Sequence, residues 1–183
     1  MSGVRTCSIH APSANSSTVS SGTKGHGART KRFSRLEIRL NQSDQAVKQH
    51  LQQQGIEVRD EGTSSSESVD YPDYARAVAH DVSEQRADLG ILVCGSGIGM
   101  AITANKVDGI RAANVSTEYE AQMSREHNNA NVLTLGARIL NADEAFRIVD
   151  KWLATQFAGG RHERRVEKIM AIEKEEHSAA GTV

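Results

Sequence analysis

The sequence predicts an α/β fold, a three-layer Rossmann-like arrangement in which a parallel sheet carries helices on both faces. Strand-like and helix-like segments alternate from about residue 45 onwards, and this alternation is typical of parallel sheets. Aromatic residues make up only 4% of the chain, so Ala, Val, Ile and Leu supply the apolar content, which suits such a core better than an aromatic-rich sandwich. A chain of 183 residues is naturally one domain.

Local patterns assign the individual elements. An apolar stripe at helical spacing (Ala75, Val78, Ala79, Val82) predicts a helix over 73–86. The β-branched apolar run after Asp88 predicts a buried strand, and the spacing from Asn141 to Glu144 is that of a helix capping box. In chain order we expect helices at 47–54, 73–86, 100–106, 118–127, from 142 onwards and at 162–176, and strands at 56–58, 88–94, 110–115 and 131–135.

Charge and composition separate the two ends of the chain from its centre. Residues 1–36 hold six Lys or Arg and no acid, and they are rich in Ser, Thr and Gly. We therefore expect a disordered leader over 1–35, a folded domain over 36–175 and a flexible tail over 176–183, although an acid-free Ser/Arg leader also resembles a transit peptide. The net charge of -1 gives no reason to expect nucleic-acid or membrane binding, and no stretch approaches the ~20 apolar residues of a membrane span.

The sequence Cys94-Gly95-Ser96-Gly97-Ile98-Gly99 lies between a predicted strand and a predicted helix. A glycine-rich turn there presents backbone N–H groups to an anion, and the helix N-terminus favours a thiolate. This pattern predicts an enzyme acting on a small anionic substrate; the alternative is a structural cysteine that ends a core strand. Cys7 and Cys94 are the only cysteines, which favours a reducing, cytoplasmic setting, and no Cys or His spacing predicts a metal site.

Two further clusters are candidates for chemistry. His127 and Asn128 end a predicted helix, and we expect them at the carboxyl edge of the sheet beside Cys94, where His127 can shuttle protons. A simple helix cap is the alternative for His127. Arg161 and Arg165 stand at i and i+4 at a helix start and predict a phosphate clamp, with a solvated basic face as the alternative.

Together these motifs resemble the ribose-5-phosphate isomerase B family over about residues 47–175. The matching segments, in the family's order and spacing, are Glu61-Gly62-Thr63, Asp70-Tyr71-Pro72-Asp73-Tyr74-Ala75, Cys94-Gly95-Ser96-Gly97-Ile98-Gly99, Ala104-Asn105-Lys106, Gly109-Ile110-Arg111-Ala112, Arg125-Glu126-His127-Asn128, Asn131-Val132, Leu135-Gly136-Ala137-Arg138 and Gly159-Gly160-Arg161-His162. The related galactose-6-phosphate isomerase subunits share the cysteine loop but lack the Gly-Gly-Arg-His-x-x-Arg clamp.

The resemblance implies an aldose–ketose isomerase, an intramolecular oxidoreductase of the pentose phosphate pathway that uses neither a metal nor an organic cofactor. It implies that Cys94 moves a proton between C1 and C2, that Ser96 relays protons between the oxygens, and that His127 assists ring opening. The implied substrate-binding residues are Tyr71, Gly95, Gly97, Ile98, Gly99, Asn128, Arg138, Arg161 and Arg165. The family builds its site at a dimer interface, which implies a homodimer or a homotetramer.

The N-terminal part departs from the family pattern. The family opens with a central strand and a turn whose Asp–His pair contacts the sugar phosphate. The nearest candidate here is the strand 36–40, after which Asp44 can replace the aspartate but Gln45 stands in place of the histidine. An ungapped alignment keeps the following helix and loses the pair altogether. The abrupt change in composition suggests a mis-called start or a shifted reading frame.

Two alternatives to an active ribose-5-phosphate isomerase therefore stay open. One is a catalytically impaired homologue that still binds sugar phosphate, because the Asp–His turn is missing. The other is an isomerase of a hexose 6-phosphate such as galactose or allose 6-phosphate.

Overall fold

The computed structural model describes residues 5–9, 42–60 and 70–180, which form one sheet and six helices. The strands are β1 Arg5–Ile9, β2 Arg59–Asp60, β3 Leu89–Cys94, β4 Ala112–Asn114 and β5 Val132–Gly136. The helices are α1 Gln42–Gln53, α2 Tyr71–Ser83, α3 Ile98–Ala104, α4 Glu118–Asn128, α5 Ala142–Ala154 and α6 Arg161–Ala180. The strand order in the sheet is β2-β1-β3-β5-β4.

The two helical layers follow from the sequence of the central strands. β3 and β5 are buried almost throughout, as expected for near-continuous apolar runs. Successive side chains of a strand point to opposite faces. Ile91 and Val93 accordingly pack on one side with Leu51 of α1 and Trp152 of α5, whereas Leu92 packs on the other side with residues of α2 and α3. The predicted layers of helices on both faces are confirmed.

The sheet is parallel across β3, β5 and β4 but not at β1. Gly90 pairs with Val132 and Cys94 with Gly136 in the parallel β3–β5 ladder. β1 runs antiparallel to both β2 and β3, with Cys7 opposite Asp60 on one side and Ile91 on the other. The expectation of a disordered leader is wrong for these five residues. A central strand needs hydrogen-bond partners along both of its edges, and β1 supplies the second set for β3.

Most predicted elements are present within a few residues of their expected bounds. The capping box at Asn141 is confirmed, and a second one at Thr117 begins α4. The short strand expected at 56–58 lies slightly later, at Arg59–Asp60, and Ile56 and Val58 before it pack against the core. α6 continues to Ala180, so residues 176–180 are helical and not the expected flexible tail.

The N-terminal prediction is only partly within the described residues. The candidate strand 36–40 and the motif Glu61-Gly62-Thr63 lie outside them. α1 begins at Gln42, which places Asp44 and Gln45 in its first turn. This agrees with the ungapped alignment, in which the helix is kept and the Asp–His turn is lost. Among the described helices, none is both long and apolar enough to cross a membrane.

Candidate active site

The turn that follows β3 is held tightly around Cys94. The backbone N–H of Gly97 donates to Cys94 Sγ over 3.2 Å, and the thiol is half-buried. The N–H groups of Ala137 and Arg138 donate to the carbonyl oxygens of Cys94 and Gly95 over 2.8 and 3.1 Å. Residues that follow β5 thus clamp the turn from the neighbouring strand. The sulfur is fixed at the carboxyl edge of the sheet, against the start of α3.

The glycines of the turn allow three other side chains to approach it. Gly97 has a φ of +78°, and a Cβ there would overlap with the Asn114 side chain. A Cβ at Gly99 would come within 2.7 Å of the Tyr71 ring, and one at Gly95 within 3.3 Å of Arg138 Nε. The absence of side chains at these positions therefore places Tyr71 and Arg138 directly against the turn that bears Cys94.

Ser96 lies at the tip of the same turn. Its Oγ accepts a hydrogen bond from the N–H of Ile98 over 3.4 Å, and the side chain is half-buried. Two backbone N–H groups of the turn, those of Gly97 and Ile98, are thus directed at Cys94 and Ser96. We call this group the carboxyl-edge cluster; it contains Tyr71, Cys94, Gly95, Ser96, Gly97, Ile98, Gly99 and Arg138.

Exposed apolar side chains lie within and beside the carboxyl-edge cluster. Ile98 and Ile102 lie one turn apart on α3, and their side chains are 54% and 58% exposed. Ile139 is 57% exposed and lies over Gly136, the residue that pairs with Cys94. Together with Tyr71, which is 39% exposed, they form a surface that we call the apolar rim. Exposed apolar patches of this kind mark binding or interaction surfaces.

The structure places His127 and Asn128 at the opposite edge of the sheet, so the expectation that they lie beside Cys94 is wrong. They end α4, which runs antiparallel to the strands and leads into the amino end of β5 at Val132. Val132 pairs with Gly90, at the opposite end of the β3–β5 ladder from Cys94 and Gly136. The two edges are therefore separated by the length of β5, roughly 13 Å at the usual rise per residue.

The edge of the sheet at which the parallel strands begin, which we call the amino edge, also carries Arg161, His162 and Arg165 next to His127. The rings of His127 and His162 stack with centroids 4.1 Å apart and an interplanar angle of 5°. Arg161 Nε donates to His162 Nε2 over 3.3 Å. The N–H of Ala158 donates to the carbonyl of Glu126 over 3.0 Å, which ties the start of α6 to the end of α4. We call His127, Asn128, Arg161, His162 and Arg165 the amino-edge cluster.

Two arginines, the half-buried Arg111 and the buried Arg125, stabilise the end of α4. The Arg111 guanidinium donates to the carbonyl oxygens of Asn128 and Asn129, and Asn129 has the left-handed conformation that ends the helix. Arg125 donates to the carbonyl of Ala130 over 2.6 Å. Burial lowers the pKa of Arg125 to about 10, and the positive charge of Arg111 adds to this effect. This network fixes the turn that carries His127.

The roles of Arg111, Arg125 and His162 are not apparent from the sequence. All three lie within the motifs that carry the family resemblance, but their hydrogen bonds and the ring stack depend on contacts between separate elements. Burial lowers the pKa of His162, and the charges of His127, Arg161 and Arg165 lower it further, against an opposing effect of Glu126. The buried position of His162, at a helix start otherwise rich in exposed charge, is visible only in the fold.

The candidate residues thus form two sets with different chemistry. The carboxyl-edge cluster offers a thiol, a hydroxyl and backbone N–H groups, which suit proton transfer and stabilisation of an oxyanion. The amino-edge cluster offers imidazoles and guanidinium groups, which suit proton transfer and phosphate binding. One chain does not bring the two sets together. Within the described residues, no group of three or more His, Cys, Asp or Glu is placed to hold a metal ion.

Comparisons with known proteins agree on one family. The family model described as Ribose/Galactose Isomerase matches residues 40–169. The chain is 53% identical over 125 residues to ribose-5-phosphate isomerase B of Escherichia coli, an alignment that spans 68% of this chain and 84% of the relative.

Solved structures agree with this result. Ribose-5-phosphate isomerase B of Clostridium thermocellum superposes with a TM-score of 0.71 at 50% identity, over 73% of this chain and 90% of that chain. The Mycoplasma genitalium enzyme with bound ribulose-5-phosphate superposes with a TM-score of 0.70 at 43% identity, over 73% of this chain and 89% of that chain. The fold, the cysteine turn and these matches together lead to one conclusion: the chain belongs to the ribose/galactose isomerase family.

Proposed function

We propose that this chain interconverts ribose 5-phosphate and ribulose 5-phosphate. The observation that carries the proposal is the Cys94 turn, in which a half-buried thiol and a hydroxyl lie in a glycine-rich loop beside Tyr71 and Arg138. The likeness to ribose-5-phosphate isomerase B proteins, one of them with bound ribulose-5-phosphate, supports the choice of substrate.

In the proposed mechanism, Cys94 Sγ removes the proton from C2 of the open-chain aldose and returns it to C1. The Ser96 hydroxyl moves the accompanying proton from the C2 oxygen to the C1 oxygen, so that atoms and charge balance. Between these steps the substrate is an enediolate. Its negative oxygen is stabilised by backbone N–H groups of the glycine turn, which do not need to reorient during the reaction.

The amino-edge cluster has the remaining roles in this proposal. His127, helped by Asn128, transfers the proton that opens the furanose ring. Arg161 and Arg165 bind the phosphate, since two guanidinium forks at a helix start match its oxygens. Arg138 and Tyr71 line the sugar from the other edge.

We propose a homodimer because these two sets of residues lie at opposite edges of one chain. In a two-fold dimer, the amino-edge cluster of one protomer can face the carboxyl-edge cluster of its partner, and the same contact then occurs twice. The exposed apolar rim around Cys94 supports this arrangement, since burial of three isoleucines and Tyr71 would stabilise the contact. A cytoplasmic location is part of the proposal and is supported by a cysteine content too low for a disulfide framework.

The experiment that tests the activity is turnover of ribose 5-phosphate by this chain and by Cys94→Ala. General base catalysis contributes about 10²–10⁴-fold, so we expect kcat to fall by roughly 10³-fold in the variant while circular dichroism stays unchanged. Equal turnover by both proteins would contradict the role of Cys94.

The alternatives are distinguished in the same assay. A folded wild-type protein that binds but does not convert the substrate would indicate the impaired homologue, which the loss of the Asp–His turn favours. Faster conversion of galactose or allose 6-phosphate than of ribose 5-phosphate would indicate a hexose-phosphate isomerase.

A further inference from the structure

His162 is the buried member of the amino-edge cluster, and its ring contacts two groups with separate proposed roles. It is 8% exposed, although its neighbours at the start of α6 are exposed. One face of the imidazole stacks on His127, with ring centroids 4.1 Å apart. One edge accepts a hydrogen bond from Arg161. The same ring therefore contacts both the proposed ring-opening imidazole and the proposed phosphate clamp.

The hydrogen bond from Arg161 fixes the protonation state of His162. A guanidinium only donates, so His162 Nε2 must be the unprotonated, accepting nitrogen, and the proton of the neutral ring lies on Nδ1. With Nε engaged, the Arg161 side chain has one preferred orientation. Its two terminal NH₂ groups, which have no partner among the described residues, then remain available to an anion.

The charges around the ring stack favour a neutral His162. Arg161 and Arg165 of α6 both oppose a positive charge on His162, and so does a proton on His127. Glu126 of α4 has the opposite effect and lies 3.8 Å from His127 Nε2. Two imidazolium rings at this separation would repel each other, and this repulsion adds to the burial and the arginine charges that lower the pKa of His162.

We propose that His162 is a positioning residue. As a neutral imidazole with Nε2 unprotonated, it fixes the orientations of the His127 ring and of the Arg161 side chain. The ring stack sets the orientation of His127, and the hydrogen bond sets the orientation of Arg161. The inference rests on the proposed function for the roles of those two residues. It adds a residue that acts on the reaction through His127 and Arg161.

The tautomer is tested directly by ¹⁵N spectra of the imidazole nitrogens in the full-length protein, with the His162 signals assigned through His162→Gln. At pH 7 we expect a protonated Nδ1 and an unprotonated Nε2 on His162. A His162 ring with a protonated Nε2 at pH 7 would overturn the inference.

Two substitutions separate the stack from the hydrogen bond. His162→Phe keeps a ring against His127 but removes the acceptor for Arg161, whereas His162→Gln keeps an acceptor and removes the ring. Loss of one hydrogen bond to a charged group corresponds to about tenfold, so we expect a tenfold higher KM in His162→Phe with kcat within threefold of wild type. We expect the reverse in His162→Gln: a kcat lower by about tenfold and a KM within threefold.

If both variants showed the same decrease in kcat and the same increase in KM, the role of His162 would be merely structural and the inference would be overturned. Calorimetric binding of inorganic phosphate and of ribose 5-phosphate gives a result that does not need turnover. If wild type fails to isomerise but His162→Phe still weakens phosphate binding about tenfold relative to His162→Gln, the proposed function fails and the positioning of Arg161 stands. If the wild type isomerises ribose 5-phosphate and neither variant differs from it, the inference fails and the proposed function stands.

Discussion

A side chain at Gly97 would enter space that Asn114 already fills. The Asn114 amide oxygen also accepts a hydrogen bond from Thr134 over 3.0 Å, so it cannot withdraw without breaking that contact. The φ of +78° adds the usual penalty for a residue with a Cβ. A substitution at Gly97 would therefore combine backbone strain with a steric clash, and the N–H of Gly97 is the donor to Cys94.

Gly97→Ala should lower the free energy of unfolding by about 2–4 kcal/mol and reduce kcat, because the turn must shift away from Asn114 and move the thiol. Gly55→Ala is the matched control: its φ is +75°, and a Cβ at this position would have no neighbour within 4 Å. It should cost only about 1 kcal/mol and leave kcat unchanged. Urea denaturation and turnover assays measure both quantities. Equal effects of the two substitutions would contradict the steric argument.

At the residue scale, the sequence is informative where the chemistry is local. The strand, the glycines and Cys94 are adjacent in the chain, so the turn and its neighbours could be predicted from their order alone. The pairing of His127 with His162 and of Arg111 with the carbonyl oxygens of Asn128 and Asn129 joins separate elements. No local pattern encodes these contacts, and only the fold brings the groups together.

The end of α4 depends on a contact made by a residue outside the helix. Arg111 precedes β4, donates to the carbonyl oxygens of Asn128 and Asn129, and reaches Met170 Sδ of α6 over 3.4 Å. The last carbonyl groups of a helix have no partner within it, and here the half-buried guanidinium of Arg111 donates to two carbonyl groups at the helix end. The position of His127 is thereby coupled to both β4 and α6.

Arg111→Lys keeps the positive charge but loses the planar guanidinium group that donates to both carbonyl oxygens. We expect it to lower the free energy of unfolding by about 2 kcal/mol. Arg147→Lys is the matched control, since Arg147 is 58% exposed and pairs with Glu118 on the surface, where a pair contributes less than about 1 kcal/mol. Hydrogen exchange at Asn129 and Ala130 should accelerate in Arg111→Lys alone. Unchanged exchange there would show that the helix end does not depend on Arg111.

At the element scale, the helices with capping signals were predicted almost to the residue, because a cap is a local hydrogen-bond pattern. Asn141 and the helix it begins are the clearest case. β1 could not be predicted, since Arg5–Ile9 gains its stability from pairing with a strand more than 80 residues away. The placement of His127 was wrong for a simpler reason. A crossover helix ends where the next parallel strand begins, which is the amino edge and not the carboxyl edge.

The whole molecule presents a geometric problem that a single chain does not solve. Cys94 and His127 lie at opposite ends of the β3–β5 ladder, yet isomerisation of a cyclic sugar phosphate needs ring opening and carbon deprotonation at one substrate. Ring opening and proton transfer both act at C1 and C2, so the two groups must reach neighbouring atoms, and the opposite edges of one sheet do not allow this. A two-fold dimer solves the problem when each site takes one edge from each protomer.

This arrangement predicts complementation between two inactive variants. Cys94→Ala and His127→Asn should each lose most of the turnover, since each removes one group from both sites of its homodimer. After denaturation and refolding of an equal mixture, half of the dimers are mixed, and each mixed dimer holds one intact site. About a quarter of the wild-type turnover should therefore return, while the separately refolded variants stay inactive. Native mass spectrometry gives the fraction of mixed dimers. If mixed dimers form and no turnover returns, each site belongs to a single chain and the shared-site proposal is wrong.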